Sequence, residues 1–473
     1  MGYIAAVLYK HGEDASETMA RMMRAASRNK AIRYCIADNR NTEITRSTDF
    51  TSHESSILLA TKSVFPDKYP YEPLHQGDHS LVFNGILLDT EAPDSLSAAN
   101  NLKDNPIKGI KTLVKDRTGA YVIAVVTKNN IVAGIDHIGT IPLYYGENQD
   151  TKALASNRKM LWTIGIEPTP VKPGSIIKLT EKDTAINQVK TLENPRTSTT
   201  TAEILHQIMN QITKEYAVKT LRATVAFSGG IDSLLTAYYL QLNNVRLELV
   251  WTGLEDQPEQ QIAEEAADYL GLRLYPCVYS REKVQEDLDD VIESIEEPDP
   301  VKTGIAYAFH WAAEKTKDLG YTTMYSGNGA DELFAGYMKY LEKYIKGEDP
   351  AQDIYNDVAN SYLQNFHRDT KTCLDQKTRL LLPFTHPRLI DYGLSIPITQ
   401  KLTQNKKDPR KKILRELAKA QGIPSKLADR PKKAAQYSSG VNKALLAIAK
   451  KQGLNLRKLV KLRYNKIREI SRD

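Results

Sequence analysis

Two short segments combine paired glycines with carboxylates in a pattern suited to holding a polyphosphate. The first is Ser228-Gly229-Gly230-Ile231-Asp232-Ser233. It follows an apolar run ending at Phe227 and opens a helical pattern, so a buried strand turns into a helix there. Adjacent glycines let the backbone approach a ligand closely, and the exposed N–H groups of a helix start favour an anion. Ser228 and Ser233 add hydroxyl donors, and Asp232 in the first turn can hold the Mg²⁺ that travels with pyrophosphate. The second segment is Ser326-Gly327-Asn328-Gly329-Ala330-Asp331-Glu332-Leu333-Phe334-Ala335-Gly336-Tyr337, again after a strand-like run, residues 322–325. Its glycines repeat the close approach, and Asp331 with Glu332 places carboxylates where a second metal contact would lie. The alternative for the first segment is a Gly-rich turn with an Asp N-cap, found in many α/β proteins; for the second, a helix cap accounts for Asp331 but not for the repeated glycines. Neither segment is a Walker loop, which needs G-x-x-x-x-G-K followed by Ser or Thr.

Residues 223–227 and 247–251 read as strands, and helical patterns run from Asp232 and over 258–270. Strands alternating with helices predict a parallel sheet whose ligand crevice lies beyond the strands' carboxyl ends, here at 227–233, near Thr252 and after Tyr325. The first half differs. Short β-rich runs at 3–8, 80–84, 120–127 and 130–136 are separated by Gly, Asn and Asp turns, which predicts an antiparallel α+β domain. Between the halves, Asn194-Pro195-Arg196-Thr197-Ser198-Thr199-Thr200-Thr201 has the composition of a linker. Residues 413–420 and 442–449 read as helices. The expected division is 1–195, 200–441 and a tail of 442–473.

A chain of 473 residues with 41% hydrophobic content can bury two cores, since single cores stop growing beyond roughly 250 residues. No stretch approaches the ~20 apolar residues of a membrane span, and the opening carries no charged leader, so a cytoplasmic location is expected. Three cysteines, Cys35, Cys277 and Cys373, without CxxC spacing, indicate neither a disulfide framework nor a zinc site. Residues 442–473 hold ten Lys and Arg against two acids, a net +8, which leaves −2 for the rest of the +6 chain. Leucines and isoleucines among those charges favour an amphipathic helix docked on the core over a nucleic-acid-binding arm.

The two glycine-rich segments together resemble the asparagine synthetase family, in which the second usually reads S-G-E-G-A/S-D-E-x-F-G-G-Y and the first is the pyrophosphate loop of the ATP pyrophosphatases. Further stretches extend the resemblance. Gly253-Leu254 with Pro258 resembles the adenine-side strand and its helix, and Ile295-Glu296 with Asp299 the I-E-x-x-D segment. Pro383-Phe384 with Arg388-Leu389 resembles P-F-L-D-x-R-L, and Lys412-Ile413-Leu414-Arg415 resembles K-x-x-L-R. Arg430-Pro431-Lys432 resembles the R-P/Q-K segment with the catalytic lysine. In the first half, Leu81-Val82-Phe83-Asn84-Gly85 and the stretch Ile135-Asp136 to Tyr145-Gly146 resemble a class II glutaminase domain.

The resemblance implies an Ntn-hydrolase-like αββα sandwich, then an ATP-pyrophosphatase parallel-sheet domain, adenine nucleotide alpha hydrolase-like, with C-terminal helices. It implies ATP and Mg²⁺, bound by Phe227, Ser228, Gly229, Gly230, Asp232, Ser233, Thr252, Ser326 and Gly327, with Asp232 and Asp331 on the metal. Lys432, or Lys433 because one residue is inserted before Gln436, would stabilise charge on the α-phosphate and the tetrahedral intermediate. Asn328, Glu296, Asp299 and Glu332 would face the carboxylate substrate.

The pattern also breaks. Gly2 stands where such a glutaminase has its cysteine nucleophile, Ile86 replaces the Glu after Asn-Gly, and the Arg-Gly-Pro-Asp segment has no good match, Arg28-Asn29-Lys30 being nearest. Asn328 replaces a glutamate, so the carboxylate's ability to accept a proton is lost at that point. Pro300-Val301-Lys302 replaces Thr-Thr-x-Arg, and Thr385-His386 replaces the Leu-Asp of P-F-L-D. The expectation is an AMP- and pyrophosphate-forming amide ligase that activates a small carboxylate, aspartate first among them, for ammonia or an amine, without its own glutaminase. Alternatives are a β-lactam-synthetase-like amidoligase, a nucleobase-modifying ATP pyrophosphatase and a non-catalytic scaffold; a homodimer is left open.

Overall fold

Ile4, Ala6 and Leu8 alternate with Ala5 and Val7, and all are buried. A strand covered on both faces needs a layer on each side. The computed structural model, which describes residues 2–48, 50, 55–65, 72–103, 105–195, 197–431 and 439–470, supplies both. The chain divides into two units, Met1–Thr191 with Arg463–Asp473, and Leu192–Leu462.

In the first unit, Gly2–Tyr9 pairs antiparallel with Thr151–Ala155 on one side and Ile57–Ser63 on the other. They form the centre of a seven-stranded sheet that runs from Thr169–Pro170 to Thr42–Thr45. A six-stranded antiparallel sheet is centred on Ile131–Ile135, Gly119–Val126 and His79–Leu87. Ile4, Ala6, Leu8 and Leu59 of the first sheet meet Val122, Ala124 and Val126 of the second in one core. On the second sheet's other face, Leu81, Phe83 and Ile123 pack on Ala98, Leu102, Ile110 and Leu113, carried by helices Asp94–Leu102 and Pro106–Asp116. Helix Ser16–Ala25 covers the first sheet with Met19, Ala20, Met22 and Met23. The layers are thus αββα, as expected.

The second unit holds an all-parallel five-stranded sheet in the order Leu274–Tyr279, Arg246–Leu254, Arg222–Ala226, Thr323–Tyr325, Arg379–Leu381. Helices Ile231–Leu242 and Glu259–Leu270 link the first three strands in sequence, and Pro300–Asp318 leads into the fourth. The connection order reverses between Arg222–Ala226 and Thr323–Tyr325. Such a switch point opens a crevice at the carboxyl ends of the two strands, where both glycine-rich segments begin.

The basic stretch 442–473 is divided between the two units. Helix Val441–Lys451 belongs to the second unit and Arg463–Asp473 to the first. The helix is amphipathic: Val441, Ala444, Leu445 and Ile448 are buried while Lys443, Lys450 and Lys451 are exposed. Among the described residues no helix is long and apolar enough to cross a membrane.

Lys401 is buried, and burial pushes its ammonium down to about 7, against a weak opposing pull from Asp349. Between about pH 7 and the ordinary lysine value the unfolded chain carries a proton there that the folded chain has released. Unfolding then takes up a proton, so stability rises with pH across that window and is lost on going down through about 7. Lys401→Met is expected to raise stability at pH 7 by about 1–3 kcal/mol and to flatten that rise, read from urea unfolding at pH 7 and 9.

Candidate active site

The strand Arg222–Ala226 ends in Phe227, and the chain then turns sharply through Gly229, whose φ of +68° places it in the left-handed region. A Cβ there would also lie 2.8 Å from the Ile262 carbonyl oxygen. Glycine is therefore required at this turn on both counts. The loop braces itself: Ser233 Oγ donates to the Gly230 carbonyl at 3.1 Å, and Ser228 Oγ accepts from Gly230 N–H at 3.3 Å. Helix Ile231–Leu242 then starts with its first N–H groups and Asp232 at the crevice.

The second segment crosses against the first. A Cβ on Gly327 would lie 2.7 Å from the Asp232 carbonyl carbon and 2.9 Å from Ser233 N, so the two loops touch backbone to backbone. Asp331 lies in the first turn of Ala330–Leu333. Its carboxylate converges with that of Asp232 on a single cation, Lys411. The Lys411 Nζ lies 2.6 and 2.5 Å from the two oxygens of Asp232 and 2.6 Å from Asp331 Oδ1. The lysine side chain is 1% exposed, and burial pushes its ammonium down while Asp232 pulls it up.

Gly336 makes room for this arrangement. A Cβ there would stand 1.9 Å from Asp331 Oδ1 and 2.4 Å from Lys411 Cε. Gly336→Ala is expected to push the pair apart at a cost of about 1–3 kcal/mol, measured by thermal unfolding.

These groups line a cleft of about 660 Å³, a size that accommodates a nucleotide. Phe227, Ser228, Gly229, Gly230, Asp232, Ser233, Thr252, Ser326, Gly327, Asn328, Asp331 and Glu332 all lie in its wall. Glu332 accepts from Tyr337 Oη at 2.5 Å and from Asn365 Nδ2 at 2.6 Å, and burial pushes its carboxyl up. Asn365 is delivered by a π-turn, Tyr362–Phe366, a local widening common at functional sites.

Asn328 turns away from the proton-accepting role. Its Oδ1 accepts from Ser326 Oγ at 2.9 Å, and its Nδ2 donates to Asp369 Oδ2 at 2.6 Å. Asp369 is fully buried and bound by Arg368 through Nε at 2.6 Å and a terminal nitrogen at 2.9 Å. Burial pushes the Asp369 carboxyl up, and Arg368 opposes this. A carboxylate thus stands directly behind the amide.

Glu296 and Asp299, expected to face substrate, are not in the cleft wall. Glu296 forms a buried ion pair with Lys371 at 2.9 Å, and Asp299 caps helix Pro300–Asp318 by accepting from Val301 and Lys302 N–H. Lys302 pairs with Glu297 and donates to the Leu363 carbonyl at 2.7 Å. His386, in place of an aspartate, caps helix Pro387–Ser395: Nδ1 accepts from Arg388 N–H and Nε2 bonds Glu215 at 3.0 Å. Lys432 and Lys433 lie outside the described residues; Pro431 and Ser439 on either side of them line the cleft.

Lys411, Arg368 and Asp369 were not singled out from sequence. For Lys411 the sequence does hold a signal: counted back from Leu414-Arg415, the spacing K-x-x-L-R falls on Lys411, one residue before Lys412.

Among the described residues no group of three or more His, Cys, Asp or Glu could hold a metal unaided. Two carboxylates converging on one cation position do fit Mg²⁺, which is commonly held by one or two carboxylates plus substrate phosphates.

In the first unit, a Cβ on Gly2 would fall 1.9 Å from the Lys62 carbonyl oxygen. Asn84 Nδ2 donates to the Gly2 carbonyl at 3.0 Å.

The family model for asparagine synthase matches residues 205–382 and 376–465. A Methanocaldococcus jannaschii protein assigned as a glutamine-hydrolyzing asparagine synthetase is 28% identical over 400 residues, covering 73% of this chain and 74% of that one. Glutamine-hydrolyzing asparagine synthetase B of Escherichia coli is 26% identical over 337 residues, 66% of this chain, and the match spans 59% of the E. coli protein. Among solved structures, the glutamine phosphoribosylpyrophosphate amidotransferase of B. subtilis aligns at a TM-score of 0.36 and 12% identity, covering 68% of this chain and 80% of that one.

Proposed function

Because this chain belongs to the asparagine synthase family, we propose that it is an ATP-dependent ligase that adenylates a small carboxylate and passes the acyl group to ammonia or an amine. The observation that carries this reading is the convergence of Asp232 and Asp331 on one cation position at the sheet's switch point. In the reaction, a carboxylate oxygen attacks the α-phosphorus and the bond to the pyrophosphate breaks. The amine nitrogen then attacks the acyl carbon, loses a proton, and AMP leaves.

The chain's own groups divide the work. Backbone N–H groups at the start of helix Ile231–Leu242, with the Ser228 and Ser233 hydroxyls, hold the departing pyrophosphate. A Mg²⁺ on Asp232 and Asp331 would neutralise its charge. Lys411 offers an ammonium to the same oxygens, and Lys432 or Lys433 serves the α-phosphate. Thr252 lies on the nucleoside side. The acceptor end is built by Asn328, Glu332 and Arg368.

Free ammonia, rather than glutamine, is the proposed nitrogen source. Gly2 supports this: a side chain at that position meets the neighbouring strand's backbone, so replacing Gly2 by cysteine alone would not fit. Aspartate is the first carboxylate to test. Asn328 favours a second reading, in which a different carboxylate is activated and an internal amine closes on it, as in the β-lactam synthetases.

The test is pyrophosphate and AMP release with ATP, Mg²⁺ and ammonium, with and without aspartate. Aspartate-dependent release with asparagine formed is the expected result; release that ignores aspartate but responds to another carboxylate selects the second reading. With glutamine replacing ammonium, glutamate should not exceed background, and glutamate above it would refute the loss of glutaminase activity.

A further inference from the structure

Asp232 and Asp331 sit in the first turns of two different helices, at the ends of neighbouring parallel strands, yet their carboxylates meet on one atom. That atom is Lys411 Nζ, within 2.6 Å of both. Lys411 has a left-handed backbone, φ +65°, uncommon for lysine, and its side chain is fully enclosed. Gly336 is the position whose missing side chain admits it. The ammonium therefore occupies the place that a divalent cation shared by these carboxylates would take, with one positive charge in place of two.

We infer that Lys411 is a tethered counter-cation that blocks this metal position until a polyphosphate arrives. The inference rests on the reading of Asp232 and Asp331 as metal-binding carboxylates. A bare divalent ion entering here must displace a buried ammonium from both of its anionic partners. Arg415 lines the same cleft and adds a second positive charge there. A displaced ammonium without an anion is costly at this depth. A triphosphate removes that cost, because it brings several negative oxygens to the same loop and gives the ammonium a new partner. Metal entry is thereby coupled to nucleotide entry.

The experiment is equilibrium Mn²⁺ binding to the full chain, read from the free-ion electron paramagnetic resonance signal, with Mn²⁺ alone and with α,β-methylene ATP. Wild type should bind Mn²⁺ weakly alone. Lys411→Met should bind Mn²⁺ alone at least about tenfold more tightly, and adding Asp232→Asn to that variant should abolish the gain. Lys411→Gln provides the same comparison should the methionine variant fail to fold. Equal Mn²⁺ affinity in wild type and variants would overturn the blocking role and leave the metal reading standing. Absence of a protein-dependent site in every variant, with or without the nucleotide analogue, would overturn both.

Discussion

Asp232→Asn should lower ATP-dependent pyrophosphate release by about a hundred- to a thousandfold, the range found when one preorganised charge-stabilising group is removed. Asp232→Ala should show the same loss, and either substitution should destabilise the protein as well. The second effect comes from Lys411. With a fully buried ammonium held between two carboxylates, deleting one leaves a charge only partly compensated, and breaking a buried pair costs about 3 kcal/mol or more. Glycine-loop aspartates read from sequence alone suggest a purely functional residue; the ion pair makes it structural too. The two roles separate in a double variant. Lys411→Met combined with Asp232→Ala removes the orphaned charge, so thermal stability should recover while turnover stays low. Undiminished pyrophosphate release by Asp232→Asn would sink the assignment of this loop to the polyphosphate, whatever happened to stability.

The two loops were legible because their chemistry is local: glycines, hydroxyls and an acid within six residues, each following an apolar run. Lys411 is 179 residues from Asp232, and nothing in its own surroundings announces burial, since Lys406, Lys407, Arg410 and Lys412 around it look like a solvated basic stretch. Asp369 was hidden for a similar reason. It lies within helix His367–Asp375 beside Arg368, a pairing that a sequence reads as surface charge, and only the fold turns it inward. Glu296 and Asp299 show the converse. A motif resemblance suggested contact with substrate, while the geometry gives an ion pair and a helix cap, tasks that also demand acids at fixed spacing. On the fold, the central strands announced themselves by continuous apolar runs. Thr42–Thr45 and Arg379–Leu381 did not: the former alternates exposed with partly exposed residues at a sheet edge, and the latter is three residues long.

The position of Asn328 leads to the second large effect. Restoring the glutamate usual in the family, Asn328→Glu, should destabilise this protein by about 2–4 kcal/mol at neutral pH. The native amide donates to Asp369 Oδ2 at 2.6 Å, and a carboxylate in its place has no proton to offer and meets a buried like charge. Arg368 is already shared across both Asp369 oxygens and cannot neutralise a second anion. One carboxyl of the new pair must then hold a proton, which raises its pKa in the folded state above the unfolded value. A raised carboxyl pKa means that the folded state binds more protons, so the deficit is greatest above that pKa and shrinks as pH falls toward about 4. Urea unfolding at pH 5 and pH 8 reads this directly, and an equal deficit at both would refute the like-charge explanation. Adding Asp369→Asn to Asn328→Glu exchanges the amide and the carboxylate and should recover most of the stability. It also places a carboxylate at the cleft wall. If aspartate is the native acceptor, that double variant should retain aspartate-dependent release; if Asn328 and Asp369 select a different carboxylate, the exchange should shift the preference among acceptors more than it changes the affinity for ATP.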